Sequence, residues 1–268
     1  MPERNEYPNG CFCWVDLAAQ DAAKAKEFYT GLFGWEAEDS EAGEIGVYTT
    51  FRKDGKAVCA QFELNPEMIA QGVRSHWQTY VSVDDLADSI FRACDRGAAA
   101  LLAPCDIADV GQMAVIQDPT GGQVALWQPG EFAGAEIVNE VGTWRWSELQ
   151  TRDSAAALRF YTGLFGWGAK ISESAAGAAY NAFILRGREI GGMVEIQPAW
   201  GPHVPPAWMT YFTVENLAAA KSRAQELSGR AVSPPMAANG VDQFQAFVDP
   251  QGAPFCLIER NEDATPES

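Results

Sequence analysis

Apolar and polar positions alternate along Cys11–Leu17 (CFCWVDL), with aromatic and β-branched residues among them, which predicts a strand. From Ala22 to Phe33 the period changes. Ala25, Phe28, Tyr29, Leu32 and Phe33 follow helical spacing, Asp21 stands where an N-cap belongs, and Gly34 suits a helix C-terminus. Strands are predicted at Val47–Arg52 and Val58–Leu64 around a KDGK turn, and Pro66 ends this unit. A second unit follows the same plan: strand Trp77–Val83, helix Leu86–Arg96 capped by Asp84 or Asp85, then strands Gln112–Gln117 and Gln123–Gln128 around DPTGG. Beyond a Gly- and Pro-bearing segment at Gln128–Gly142 the order recurs. Strands fall near Trp144–Leu149, Asn181–Arg186, Gly191–Gln197, Trp208–Val214, Gln243–Val248 and Pro254–Glu259, and helices at Ser154–Phe165 and Leu217–Leu227.

The recurrence is also visible in the letters. Trp14–Trp35 and Trp146–Trp167 share 13 of 22 residues, including the intact run FYTGLFGW at Phe28–Trp35 and Phe160–Trp167. WQTYVSVDDL (Trp77–Leu86) echoes WMTYFTVENL (Trp208–Leu217), and DPTG at Asp118 echoes DPQG at Asp249. Echoes at a nearly constant offset imply duplicated folding units. The expected fold is α+β: two tandem domains, 8–130 and 140–262, each of two β-α-β-β-β modules forming a cupped mixed sheet.

These motifs together, the Asp21–Trp35 and Asp153–Trp167 helices, the VDDL helix start at Val83–Leu86 and the two D-P-x-G turns, resemble the vicinal oxygen chelate superfamily. That superfamily holds glyoxalase I, bleomycin-resistance proteins and extradiol dioxygenases. The resemblance covers nearly the whole chain and is nearest to tandem glyoxalase-like or hydroxylase-like members. It implies paired modules enclosing a cup, with a divalent ion held by His and carboxylate side chains from the strands in metal-dependent members. The matching positions here are Trp14, Gln78 and Ala125 in the first half, and Trp146, Met209 and Cys256 in the second. None is a His or a carboxylate, and indole and methyl groups have no usable lone pair. The chain has only two histidines, His76 and His203, one in each half, and both are expected on loops. The cups are therefore expected to be metal-free and without a cofactor. Glyoxalase and dioxygenase chemistry, which the ion supports, is then in doubt.

Residues two apart on a strand share a face. If Trp14 faces the cup, so do Phe12 and Asp16, and Trp146 brings Trp144 and Glu148; Gln78 brings Tyr80, Met209 brings Tyr211, and Ala125 brings Trp127. The candidate ligand-binding residues are Trp14, Asp16, Gln78, Tyr80, Trp127, Trp146, Glu148 and Tyr211. Aromatic walls with few polar groups suit a flat small molecule, and the acid favours a cationic one. Ordinary core packing of these aromatics is the other reading, and a salt bridge with Arg74 or Arg145 is the other reading of the acids. Asp16 with Tyr80 is the pair to consider for proton transfer.

Composition narrows the partners. A net charge of −17 disfavours nucleic acid and anionic membranes. The N-terminus MPERNEYPNG has no signal-peptide core, so the expected location is the cytoplasm, as a monomer or homodimer. The six cysteines form no C-x-x-C pair and are expected as buried thiols. Three functions remain open: a metal-free binder of a small aromatic or cationic molecule; a metal-dependent lyase, isomerase or oxygenase with atypical ligands; and a silent scaffold whose cups are cores.

Overall fold

A computed structural model describes residues 3–173, 179–238 and 242–259. Each half forms one mixed sheet. In the first half β1 (Phe12–Ala19), α1 (Ala22–Phe33), β2 (Glu36–Glu41), β3 (Val47–Lys53) and β4 (Lys56–Glu63) form one module. A short helix α2 (Pro66–Ala70) leads to the second: β5 (His76–Ser82), α3 (Leu86–Asp95), β6 (Ala99–Ile107), β7 (Gly111–Gln117) and β8 (Gln123–Pro129). The sheet order is β2-β3-β4-β1-β5-β8-β7-β6, so the two modules meet at the antiparallel β1–β5 pair.

The second half repeats this with β9 (Trp144–Thr151), α4 (Ser154–Phe165), β10 (Gly168–Glu173), β11 (Ala179–Leu185) and β12 (Arg188–Glu195). Its second module holds β13 (Ala207–Val214), α5 (Leu217–Glu226), β14 (Arg230–Ala231), β15 (Met236–Ala238), β16 (Asp242–Val248) and β17 (Pro254–Glu259). The order β10-β11-β12-β9-β13-β17-β16-β14 places β9 and β13 together at the centre, as β1 and β5 are.

The local signals explain the elements. Asp21 and Asp153 cap α1 and α4 by accepting from the amides of Lys24 and Ala156, and Gly34 and Gly166 end these helices at φ 72° and 71°. The KDGK turn uses positive φ at both Asp54 and Gly55, the geometry that joins β3 tightly to β4. Pro66 opens a one-turn helix behind the Asn65 cap, where its missing N–H costs nothing.

The sheets pack face to face, with helices between them. At the centre, Trp77 of β5 meets Phe212 of β13 with ring centroids 4.9 Å apart. The repeated FYTGLFGW run is the fastener. Tyr161 of α4 donates to Asp118 Oδ2 of the first half at 2.7 Å, and Tyr29 of α1 donates to Asp249 Oδ2 of the second at 3.3 Å. Each phenol also accepts from an indole of its own half, Trp208 and Trp77 respectively. Trp35 Nε1 bonds to Gly142 O and Trp167 Nε1 to Gly10 O. Helix and D-P-x-G motifs thus serve the joint between the halves, and one continuous apolar core runs through both.

Candidate functional site

One face of each sheet carries the candidate residues, and in the first half Trp14, Tyr80, Ala125 and Trp127 belong to the same continuous buried core. Trp14 and Asp16 project from β1 onto the same face as Gln78 and Tyr80 of β5, since the register pairs Trp14 with Tyr80 and Asp16 with Gln78. Tyr80 lies beside Ala125 of β8, and Trp127 follows two residues along the same face. Trp146, Glu148, Met209 and Tyr211 repeat this on β9 and β13. Phe12 and Trp144 depart from the expected parity. The pairing register slips between Phe12 and Trp14, and between Tyr211 and Phe212 opposite Trp144. A bulge re-aims the side chain before it. Phe12 packs against Trp167 and Trp208 at 5.1 and 5.2 Å, and Trp144 likewise joins the core between the sheets.

Asp16 is the centre of the first group, at the place where the sequence leads to a cup. Its Oδ2 accepts from Tyr80 at 2.7 Å and from Tyr48 at 3.2 Å, while Tyr48 accepts from Trp14 Nε1 at 3.0 Å. Its Oδ1 is buried with no hydrogen-bond partner. Burial pushes this carboxyl up to about 7, against the opposing pull of the two phenol bonds. An unsatisfied buried acceptor costs about 1–3 kcal/mol, more when charged. The wall around it is aromatic: Trp14, Tyr80 and Trp127 are 4–6% exposed, and Phe132 sits edge-on to Trp14 at 4.9 Å. Gln78 donates to Thr79 O at 3.1 Å.

The second cup is built alike. Tyr211 donates to Glu148 Oε1 at 2.9 Å and Trp146 Nε1 donates to Tyr180 at 2.9 Å; the neighbouring Tyr180 phenol and Gln150 amide, with Tyr211, oppose the effect of burial on this acid. Burial again pushes the carboxyl up to about 7. Met209, Tyr211, Cys256 and Ile258 form a small apolar cluster of their own, with Trp146 half-buried beside it. The hydrogen-bond partners of both acids are phenols, Tyr80 and Tyr48 for Asp16 and Tyr211 for Glu148, so the salt-bridge reading gives way to a hydrogen-bonded one.

Tyr48 and Tyr180 were not among the candidates, although the repeat marks them. They stand 132 residues apart in the pattern Y-x-x-F, closed by Phe51 and Phe183. Their strands lie two away from β1 and β9, too far for reasoning along a single strand.

A metal fits these residues poorly. Among the described residues, His, Cys, Asp and Glu side chains form no group of three or more that could hold an ion. His76 opens β5, with Nδ1 on Arg74 O at 2.8 Å, and His203 lies exposed in a turn. The positions that the resemblance matches to ion ligands in the first half, Trp14, Gln78 and Ala125, carry an indole, an amide and a methyl. Among the described residues no helix is long and apolar enough to cross a membrane.

Comparison with known proteins agrees with the architecture. Over 260 residues the chain is 37% identical to "Putative glyoxylase CFP32" of Mycobacterium tuberculosis, covering 97% of this chain and 98% of that protein. It is 32% identical to the anthracycline biosynthesis protein DnrV of Streptomyces peucetius, covering 96% and 95%. Among solved structures, the Mn(II)-bound glyoxalase of Novosphingobium aromaticivorans superposes with a TM-score of 0.64 at 12% identity, over 95% of this chain and 83% of that one. The profile of one family matches twice, at residues 12–126 and 140–257, and the chain therefore belongs to the Glyoxalase/Bleomycin resistance protein/Dioxygenase superfamily.

Proposed function

We propose that this chain binds a small, flat aromatic molecule in an outer cup, without a metal ion. One observation carries the reading. Trp14, Gln78 and Ala125, the positions matched to ion ligands, offer no His or carboxylate, and beside them one carboxyl is held by two phenols, one of which an indole bonds in turn. Flat ring faces favour a planar ligand by stacking, and the acid favours one bearing a hydrogen-bond donor or positive charge. The name of DnrV, an anthracycline biosynthesis protein, supports a polycyclic aromatic as the ligand class.

The glyoxylase name of CFP32 supports the alternative, a metal-dependent lyase, isomerase or oxygenase with unfamiliar ligands. That reading needs donors beyond those the cups bring together. A panel of planar aromatic and cationic compounds, read by thermal shift with and without EDTA, separates the two. Metal-free binding predicts stabilisation that EDTA leaves unchanged. Stabilisation that appears only with added metal, or no stabilisation by any compound, overturns it.

A further inference from the structure

An open cleft of about 140 Å³ lies where the halves meet, and it shares no residue with the groups around Asp16 and Glu148. The N-terminal stretch, the start of β1, the segment between the halves and the starts of β9 and β12 build it. Phe12, Trp144, Val138 and Ile190 give it apolar surface. Phe12 and Trp144 reach it because the bulges take them out of the strand period. Arg4 and Arg145 bring two guanidinium groups, and Cys11 brings a half-buried thiol. Glu189 is an acid on the same wall, and Lys170 lies 3.1 Å from it. Although acidic side chains outnumber basic ones 36 to 19, the Arg4 guanidinium forms no ion pair or hydrogen bond among the described residues. The backbone around it is held in place. Arg4 N donates to Glu136 O at 2.9 Å, Tyr7 Oη to Ala135 O at 2.8 Å and Asn139 N to Trp144 O at 3.0 Å, so the walls are tied before any ligand arrives. The positive charges of Arg186 and Arg4 reach the Cys11 thiol, where they oppose the upward push of burial.

We propose that this cleft binds a small aromatic carboxylate, its ring against Phe12 and Trp144 and its carboxylate on Arg4. Size and charge set the class. An apolar cavity of about 150 Å³ takes up benzene, so the space here suits one ring and not a polycyclic system. A guanidinium matches a carboxylate in both shape and charge. The groups around Asp16 and Glu148 are built on acids, which disfavour a carboxylate, so this site and the one proposed above select opposite charges.

Benzoate and benzamide test this, because they share a ring and differ in charge. Cys11 is a local reporter on the full chain, since a ring bound in the cleft shields it from iodoacetamide. Cys105, also half-buried but outside the cleft, is the internal control. Benzoate at about 10 mM is expected to slow Cys11 labelling and to leave Cys105 unchanged. Benzamide is expected to bind at least about tenfold more weakly, and Arg4→Ala to weaken benzoate by a similar factor while leaving benzamide as it was. Arg4 is exposed, so the variant keeps the fold. Saturation-transfer NMR of the two compounds reads their affinities without the thiol and is expected to give the same order. Equal affinity for benzoate and benzamide, benzoate binding unchanged in Arg4→Ala, equal slowing of Cys11 and Cys105, or no benzoate binding overturns the proposal. None of these results bears on the binding function proposed above, whose ligands carry donors or positive charge.

Discussion

Replacing Asp16 by Asn makes the cost of the buried acid measurable. Its carboxyl is at about 7 in the folded chain against an ordinary 3.8. Between those values the folded state holds a proton that the unfolded state has released, so stability falls as pH rises. The full difference is about 4 kcal/mol, of which about 3 kcal/mol is lost between about pH 5 and 8. Asp16→Asn keeps an acceptor for Tyr48 and Tyr80 but cannot ionise. Its amide sits where Oδ1 has no partner, which lowers stability at every pH alike. The informative quantity is therefore the change with pH, not the level. Urea unfolding followed by tryptophan fluorescence at pH 5 and pH 8 should show the unaltered chain losing about 3 kcal/mol more than Asp16→Asn over that range. Glu148, raised from 4.5 to about 7, should behave alike in Glu148→Gln, by about 2–3 kcal/mol. If the unaltered chain and Asp16→Asn respond to pH within about 1 kcal/mol of each other, Asp16 is already ionised in the fold and the description of the cup is wrong.

The joint between the halves gives an ordered pair. Tyr161→Phe, which loses the 2.7 Å bond to Asp118, should destabilise by about 2 kcal/mol and by more than Tyr29→Phe, whose bond to Asp249 is 3.3 Å; equal losses in thermal unfolding would contradict this. At Gly134, with φ 142°, an added Cβ would collide with the Cys13 carbonyl, so Gly134→Ala should cost on the order of 3 kcal/mol in the same assay, and a neutral outcome would count against the linker's path. Not all six thiols are buried as expected: Cys94, on the outer side of its helix, is exposed and Cys11 and Cys105 are half-buried, so Cys94 should react first with a thiol reagent, while Cys13, Cys59 and Cys256 react only on unfolding; peptide mapping after brief labelling reads the order.

How much was legible in the sequence followed from which faces are buried. The strand read from alternation, Cys11–Leu17, and the strands Trp77–Val83 and Trp208–Val214 are central ones, rich in aromatic and β-branched residues and buried along nearly their whole length. The ones that escaped are sheet edges. β2 (EAEDSE) is exposed at all six positions, and β6 (AALLAPCDI) is nearly so, and neither has a buried face to impose a period of two. The capped helices were readable because Asp21, Asp153 and the glycines carry local chemistry. The cup was readable in part. Trp14, Asp16, Gln78, Tyr80 and Trp127 share a face as the strand period requires, and so do Trp146, Glu148 and Tyr211. Phe12 and Trp144 were misplaced because a bulge breaks that period, and nothing in their own residues announces it. Tyr48 and Tyr180 reach their acids from strands that only the sheet order brings near.

The central claim is the proposed metal-free binding, in a member of this superfamily whose positions 14, 78 and 125 carry an indole, an amide and a methyl in place of ion ligands. The most direct test is metal content. The full chain is purified without chelator from medium supplied with iron, nickel, zinc and manganese, and metal per chain is quantified by elemental mass spectrometry. Far less than one ion per chain is the result expected. One or two tightly held ions per chain would contradict the account, and would mean that side chains other than those at positions 14, 78, 125, 146, 209 and 256 bind them.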